Sequence, residues 1–325
     1  MTNVLVTGGA GYIGSHACKA IRAAGFTPVT FDSLAGGHRE AVKWGPFEQG
    51  DLLDAVRVGR LFRDYEFAGA MHFAAHIAVG ESVVDPGKYY RNNVGGTIAL
   101  LDALVEHGVP ALVFSSTAAV YGTPEAVPIP EDAPLAPINP YGRSKLASER
   151  MIADYADAHG LRFALLRYFN ACGADPDGET GESHEPETHL IPLALDAGAG
   201  QGQLTLFGED YPTPDGTCIR DYIHVADLAD AHVAALKALL EGGESMALNL
   251  GTGRGISNHE VLEAIARVTG REVPHSVGQR RDGDPAELVA DPSLAKERLS
   301  WSARRSDIDT IVETAWRWHQ RDVRG

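Results

Sequence analysis

The chain is poor in cysteine and in positive charge, and it contains no long unbroken apolar run. Its three cysteines, Cys18, Cys172 and Cys218, are odd in number, widely spaced and show no CxxC pairing. That excludes a disulfide framework and reads as small buried thiols in a reducing compartment. Lysine and arginine number 28 against 44 aspartates and glutamates, a formal net charge of -16. A surface of that sign repels nucleic acid and anionic membrane, so any anionic ligand must be held by local donors. No segment reaches the roughly 18 apolar residues of a membrane span. The N-terminus passes from Met1 straight into Val4-Leu-Val6 with no basic leader or cleavage site, so a cytoplasmic protein is expected. Neither internal repeats nor low-complexity tracts occur.

What is present is enough apolar sequence, 44% of 325 residues, to bury a sizeable core in one large α/β unit or two lobes. Up to about residue 170, short apolar runs alternate with helical patterns: Val4-Leu-Val6, Pro28-Val-Thr-Phe31, Ala70-Met-His-Phe73, Ala111-Leu-Val-Phe114 and Phe163-Ala-Leu-Leu166. The spacing leaves room for a crossover helix between each pair, which predicts an α/β protein of Rossmann type, with a doubly wound parallel sheet. Beyond Gly173 the regularity fails in a stretch rich in Asp, Glu, Gly and Pro. A smaller C-terminal α/β substrate lobe, residues 171–325, is expected after a dinucleotide-binding domain at 1–170. The stretch from Asp221 to Leu240, a strand-like start and an amphipathic helix, suggests that about 218–250 returns to the first domain.

Directly after the first run stands Gly8-Gly-Ala-Gly-Tyr-Ile-Gly14, followed by a helical pattern. Tight turn, close approach of backbone to a pyrophosphate and helix-strand contact each exclude a Cβ, so the spacing Gly8, Gly11, Gly14 fits a dinucleotide fingerprint. The bland alternative is a glycine-rich turn with no ligand. Asp32 ends the second run 18 residues beyond Gly14, where a carboxylate accepts from both ribose hydroxyls and repels a 2'-phosphate. NAD is therefore expected rather than NADP, with Arg39 nearby as the one contrary sign. Asp51 of Gly50-Asp-Leu52 could face the adenine, and Phe73-Ala74-Ala75 puts small residues beside the pyrophosphate; alone, each reads equally well as a loop cap or packing.

A second stretch, Asn139-Pro-Tyr-Gly-Arg-Ser-Lys145, admits two readings. Asn139 as N-cap and Pro140 at the first helical position describe an ordinary helix start. Tyr141 and Lys145 also lie one turn apart on one helix face, where an ammonium could ease ionisation of a phenol. No His/Cys/carboxylate spacing suggests a metal, and none is expected.

Together with HFAAHIAVGES (72–82), NNVGGT (92–97), SSTAAVYG (115–122), RYFNACG (167–173), RDYIHVADLADAH (220–232) and RRDGDPAELVAD (280–291), these stretches resemble the extended short-chain dehydrogenase/reductase family, and within it the branch that inverts UDP-hexoses at C4. The resemblance runs over nearly the whole chain. It implies an NAD-binding Rossmann domain, a UDP-sugar lobe, interconversion of UDP-glucose and UDP-galactose through a transient 4-keto sugar, and a homodimer paired through helices near 93–107 and 144–159. It implies Tyr141, Lys145 and Thr117 as catalytic residues, Tyr141 being the base. For the cofactor it adds Tyr12, Ile13, Ser33, Leu34, Leu52, Asn92, Ser115 and Tyr168. For the substrate it implies Phe169, Asn170, His189, Leu190, Thr205, Phe207, Arg220, Arg281, Asp284 and Leu288, the two arginines at the diphosphate. Ile77 departs from a lysine of some members, and His189 from an asparagine.

Plain alternatives stand beside these roles: Thr117 as a strand-end hydroxyl bonded to backbone, Arg220 and Arg281 as partners of neighbouring acids, and His72, His76 and His224 as structural histidines. Among related chemistries, a 4,6-dehydratase would need an Asp-Glu pair after the hydroxyl residue, where this chain has Ala118-Ala119. A non-catalytic NAD sensor could dispense with the Tyr/Lys pair, which is kept. UDP-N-acetylglucosamine or a UDP-pentose remains an alternative substrate, with Leu288 of intermediate size at the position that crowds or admits an N-acetyl group.

Overall fold

The computed structural model describes residues 2–281 and 284–322. All five expected strands form, as β1 (Asn3–Thr7), β2 (Thr27–Asp32), β4 (Phe67–His72), β5 (Ala111–Thr117) and β6 (Arg162–Tyr168). A short β3 (Phe47–Gln49) lies on the edge. The connecting helices are α1 (Tyr12–Ala23), α2 (Ala55–Asp64), α3 (Val79–Val84), α4 (Pro86–Tyr89), α5 (Gly96–Glu106) and α6 (Pro140–His159). Further along come β7 (Asn170–Cys172), α7 (Leu190–Gly198), β8 (Leu204–Phe207), β9 (Ile219–Arg220), β10 (Tyr222–His224), α8 (Val225–Leu240) and β11 (Met246–Leu250). The chain then completes β12 (Ile256–Ser257), α9 (Asn258–Thr269), β13 (His275–Gly278), β14 (Glu287–Leu288), α10 (Ser293–Leu299) and α11 (Ile308–Asp322).

Seven parallel strands make the main sheet, in the order β11-β6-β5-β4-β1-β2-β3. Val4, Leu5, Val6 and Ala111 to Val113 are fully buried, because a parallel sheet is covered on both faces and its inner strands must be apolar throughout. One face packs on α1 and α8 through Ala17, Ile21, Leu228 and Leu236. The other packs on α2, α5 and α6 through Leu61, Leu100, Leu104 and Ile152. The order reverses between β1 and β4, and the crevice beyond the carboxyl ends at such a reversal is where open α/β sheets bind ligands.

Residues beyond β6 split between two places. Helix α8 and strand β11 join the main sheet's packing, whereas α7, α9 and α11 form a separate apolar cluster around Ile191, Val261 and Ile311. Small sheets complete that lobe: β8 with β13, β9 between β12 and β14, and β7 with β10. Two strands of the main sheet escaped the sequence reading. β3 is a three-residue edge strand with no residue fully buried, and β11 follows a region where the βα rhythm has already broken.

Candidate active site

Strand β1 ends at Thr7 because Gly8 takes φ +73°, a conformation that L side chains rarely adopt. A Cβ on Gly8 would also lie 2.6 Å from the Ala74 nitrogen, so the glycine turn packs directly on the Phe73-Ala74-Ala75 loop that follows β4. A Cβ on Gly14 would stand 2.2 Å from the Gly8 carbonyl oxygen. Gly11 differs: a Cβ there would meet nothing nearer than the Gly8 oxygen at 3.4 Å, and its φ of -83° suits any residue. The protein's own packing therefore needs Gly8 and Gly14 but leaves free the space above Gly11. Gly11 is the N-cap of α1 and offers no side-chain cap, which leaves the first N–H groups of the helix, at Tyr12, Ile13 and Gly14, without intrahelical partners. A cradle that a side chain would fill, lined by orphaned donors at the positive end of a helix, fits a dinucleotide pyrophosphate.

Asp32 closes the other side of this turn. Its carboxylate accepts from the Ala10 N–H at 3.0 Å and the Leu34 N–H at 2.8 Å. Burial raises its pKa above the usual carboxylate value, and those two N–H bonds pull it back. Leu34 takes φ +62°, a strained conformation for leucine, held where the ribose hydroxyls would meet the carboxylate. Ser33 accepts the Ala35 N–H at 3.3 Å, and Asp51 accepts the Leu53 N–H at 2.9 Å, so both act at least as loop caps, with Leu52 buried beneath. The Tyr12 hydroxyl donates to the Gly173 carbonyl at 2.6 Å, tying α1 to the loop after β7, and Ile13 packs on the core below.

The stretch beginning at Asn139 satisfies both of its readings. Asn139 accepts the Gly142 N–H at 2.8 Å as the N-cap of α6, with Pro140 in the first turn. Tyr141 therefore sits half-buried in the first turn, and Lys145 one turn behind it, buried. Thr117, the last residue of β5, accepts the Ala119 N–H at 3.1 Å, as a strand-end hydroxyl would. Its own proton remains to donate, and a hydrogen bond from Thr117 lowers the pKa of the Tyr141 phenol. Lys145 behaves otherwise than expected. Its Nζ donates to the Ser115 carbonyl at 2.8 Å and lies 4.8 Å from the Phe114 ring centre. Burial pulls Lys145 down to about 7 against the pull of Glu149, and burial pushes Tyr141 up to about 12. With Lys145 turned to a carbonyl, Thr117 is the protein group that favours the phenolate. Ser115 also hydrogen-bonds the Tyr168 hydroxyl, and both hydroxyls stand at the same end of the sheet.

In the smaller lobe, Arg220 lies almost wholly buried and donates to Asp284 Oδ1 at 2.6 Å and to the Ile219 carbonyl at 2.8 Å. The ion-pair reading of Arg220 is thus met, and it joins two residues assigned to the substrate. The Arg281 guanidinium covers the half-exposed Phe207 ring at 4.2 Å, next to Thr205, which shares a hydrogen bond with Ser276 at 3.1 Å. Leu288 pairs with Arg220 in the β9–β14 ladder and packs with Phe169 against the cluster holding Ala118, one residue from Thr117. Asn170 begins β7, its N–H donating to the Asp221 carbonyl at 3.0 Å. His189 and Leu190 stand at the start of α7, but His189 turns its imidazole to Glu182 at 2.8 Å and Glu187 at 3.0 Å.

Several residues the sequence reading passed over hold these groups in place. Asn93, buried, accepts the His76 N–H at 2.8 Å and donates to the Ser144 hydroxyl at 3.0 Å, knitting the loop after β4 to α6. Its neighbour Asn92 donates to Asn93 Oδ1 at 3.0 Å. Ser82 accepts the Tyr141 N–H at 3.2 Å. Glu149, one turn beyond Lys145, takes a buried ion pair from Arg167 at 2.7 Å and a hydrogen bond from Ser116 at 2.5 Å. His72 and His224 are structural: His72 bonds Thr7 at 2.6 Å and Thr97 at 3.1 Å, while His224 caps α8 and bonds Thr314 at 3.1 Å.

A doubly wound sheet with a glycine turn at its reversal point and a Tyr/Lys pair on the helix behind β5 defines a dinucleotide-dependent enzyme of the short-chain dehydrogenase/reductase class. More narrowly, the chain belongs to the NAD dependent epimerase/dehydratase family, whose pattern matches residues 4–251. It is 52% identical to a UDP-glucose 4-epimerase of Rhizobium meliloti (strain 1021) over 99% of this chain and 98% of that one. Among solved structures it resembles the UDP-glucose 4-epimerase from Brucella ovis in complex with NAD, with a TM-score of 0.96 and 55% identity over 98% of this chain and 99% of that one. It also resembles the UDP-glucose 4-epimerase from Bifidobacterium longum in complex with NAD+ and UDP, with a TM-score of 0.95 and 37% identity over the whole of both chains.

Proposed function

We propose that the chain is a UDP-glucose 4-epimerase, an isomerase that inverts C4 of a UDP-hexose with NAD and interconverts UDP-glucose and UDP-galactose. The observation that carries the mechanism is the placement of Thr117, at the carboxyl end of β5 and so on the same edge of the sheet as the glycine turn, where it lowers the pKa of the Tyr141 phenol. The hydrogen on C4 is not acidic, so inversion there needs an oxidation and its reversal. NAD, held by the turn from Gly8 to Gly14 and by Asp32, supplies the acceptor for the C4 hydride and its return.

The chain's own residues handle the proton. Tyr141 accepts it through Thr117, whose hydroxyl passes its own proton to the phenolate and takes the 4-hydroxyl proton in its place. A phenol at about 12 is a poor base near neutrality, so Thr117 and the start of α6 supply stabilisation that burial removes. Ala118 and Ala119 place no carboxylate next to Thr117, which supports epimerisation over loss of water across C5 and C6. Arg220 and Arg281 are assigned to the diphosphate, Phe207 and Leu190 to the uracil, and Asn170, Phe169 and Leu288 to the sugar. Removing the phenol tests the base: Tyr141→Phe is expected to lower kcat by about a hundredfold or more while leaving NAD bound. Near-normal turnover in that variant would refute the assignment.

The reading extends to organisation. Residues 1–170, with the return of about 218–250, make up the NAD-binding domain, and the remainder of 171–325 is the UDP-sugar lobe. Among the described residues no helix is long and apolar enough to cross a membrane, in keeping with a cytoplasmic setting. Exposed Tyr90 and Ile98, just before and within α5, support pairing of two copies there, which a dimeric mass in solution would check.

A further inference from the structure

Between Gly181 and the start of α7 the chain has no regular secondary structure, yet it gathers four metal-ligating side chains that the epimerase chemistry does not use. Glu182, His184, Glu187 and His189 each present one donor atom, all within 4.8 Å of one another. His184 Nδ1 lies 3.1 Å from Glu182 Oε1 and 3.6 Å from Glu187 Oε2. His189 Nδ1 lies 2.8 Å from the same Glu182 oxygen and 3.0 Å from Glu187 Oε1.

Two arrangements produce such closeness. In a quartet of imidazolium-carboxylate pairs, each ring N–H points along a hydrogen bond at an oxygen. In a cation site, nitrogen and oxygen lone pairs point together at a shared centre, so the atoms are near but not aligned as donor and acceptor. His189 Nδ1 and Glu187 Oε1 are of the first kind, hydrogen-bonded at 3.0 Å, but Glu182 Oε1 and His184 Nδ1 are of the second, buried and without an aligned hydrogen bond although only 3.1 Å apart. The Glu182 side chain is 7% exposed, so water does not take up that oxygen either. We propose that Glu182, His184, Glu187 and His189 form a binding site for a divalent cation of the zinc type.

The donor set and the spacing suit that ion. Zinc takes imidazole nitrogen and carboxylate oxygen in a tetrahedron with bonds of about 2.0–2.2 Å, whose edges are roughly 3.3–3.5 Å. The three separations that link Glu182 Oε1, His184 Nδ1, His189 Nδ1 and Glu187 Oε2, at 2.8, 3.1 and 3.6 Å, lie around that edge length. The ligands are also braced from outside, as metal ligands are. Glu187 Oε1 accepts the N–H groups of Thr188 at 2.7 Å and His189 at 2.8 Å, which fixes the carboxylate with its Oε2 3.6 Å from His184 Nδ1. The Trp318 indole donates to the Glu182 carbonyl at 3.0 Å, and Gly181 lies so close under that indole that a Cβ would come within 2.3 Å of it. The Tyr12 ring stands edge-on to His184 at 6.1 Å. A cation here ties an irregular segment to the start of α7 and to α11, and it makes His189 a metal ligand where the sequence reading placed a sugar contact.

The test uses the full chain without a histidine tag, stripped with a chelator and then dialysed against Zn²⁺ alone. The expected result is about one Zn²⁺ retained per chain by elemental analysis, with a rise in melting temperature. Co²⁺ in its place is expected to show the visible absorption of a four-coordinate site. Glu182→Gln and His184→Ala should each abolish retention, whereas Asp177→Asn, in the separate group formed by Asp175, Asp177 and Glu179, should not. If a ligand variant fails to fold, the stoichiometry and Co²⁺ spectrum of the unaltered chain still decide. Retention well below one ion per chain, or full retention in a folded Glu182→Gln variant, overturns the site in favour of an ion-pair quartet.

Discussion

Alanine at Gly11 and alanine at Gly14 separate what the fold requires of the fingerprint from what the ligand requires. At Gly14 the new Cβ would lie 2.2 Å from the Gly8 oxygen and 2.9 Å from the Gly8 carbon and the Gly9 Cα, all backbone atoms that cannot rotate aside. Overpacking of that kind costs about 1–3 kcal/mol or more, which in a chain of this size lowers Tm by roughly 2–5 °C or more. At Gly11 the nearest atom is at 3.4 Å and the backbone is extended, so the fold loses only the difference between glycine and alanine at an N-cap, roughly 0.5–1 kcal/mol and about 1 °C.

Affinity for NAD should show the opposite contrast. A methyl group on Gly11 projects into the cradle and pushes the pyrophosphate off the N–H groups of α1. Losing one or two hydrogen bonds to a charged group costs about 1.5–3 kcal/mol each, a weakening of about tenfold to a thousandfold or more. The assay is calorimetric titration of NAD into stripped protein, paired with melting curves of the same ligand-free samples, because bound NAD would itself raise Tm. Gly11→Ala is expected to melt close to wild type and bind NAD poorly. If it binds NAD as wild type does, the cradle is not where the pyrophosphate lies; if it melts as low as Gly14→Ala, the glycine serves packing.

Two further outcomes follow from the site. Burial holds Lys145 at about 7 in the folded chain against an ordinary value of 10.5, so the unfolded chain binds more protons over the interval between them and stability rises with pH there. Relative to Lys145→Met, stripped wild type should gain up to about 1.4 kcal/mol of stability per pH unit between pH 8 and 10 in denaturant melts; a flat difference would show the ammonium to be solvated. Leu288→Ala opens the cluster that Leu288 shares with Phe169 and Ala118, and should raise kcat/KM for UDP-N-acetylglucosamine relative to UDP-glucose by about tenfold, measured by separating the epimers formed. An unchanged ratio would remove Leu288 from the sugar site.

The parts of this molecule legible in its sequence are those whose cause is local. Gly8 needs φ +73°, and Asn139 caps its own helix three residues on, so each leaves a signature within a few positions. Strands β1, β2, β4, β5 and β6 are read from apolar runs because parallel strands buried on both faces permit little else. The direction of Lys145 was not legible, because its partner, the Ser115 carbonyl, lies 30 residues earlier on β5 and any residue type could have supplied it. Backbone acceptors leave no trace in a sequence.

The neighbouring asparagines show the same limit more sharply. Asn92 and Asn93 are identical in type, and the family pattern points to Asn92, yet it is Asn93 that bonds both His76 and Ser144 from a buried position. Between Tyr90 and Gly95 the helix runs as a π turn, which adds a residue and rotates the inward face away from where a 3.6-residue period would place it. The same displacement leaves Asn92 partly exposed, with its amide on Asn93 Oδ1. In a regular helix one of the pair would be redundant. With the π turn, Asn93 spans from the loop after β4 to α6 while Asn92 stays partly exposed, so a single irregular turn holds that loop and α6 in register with each other.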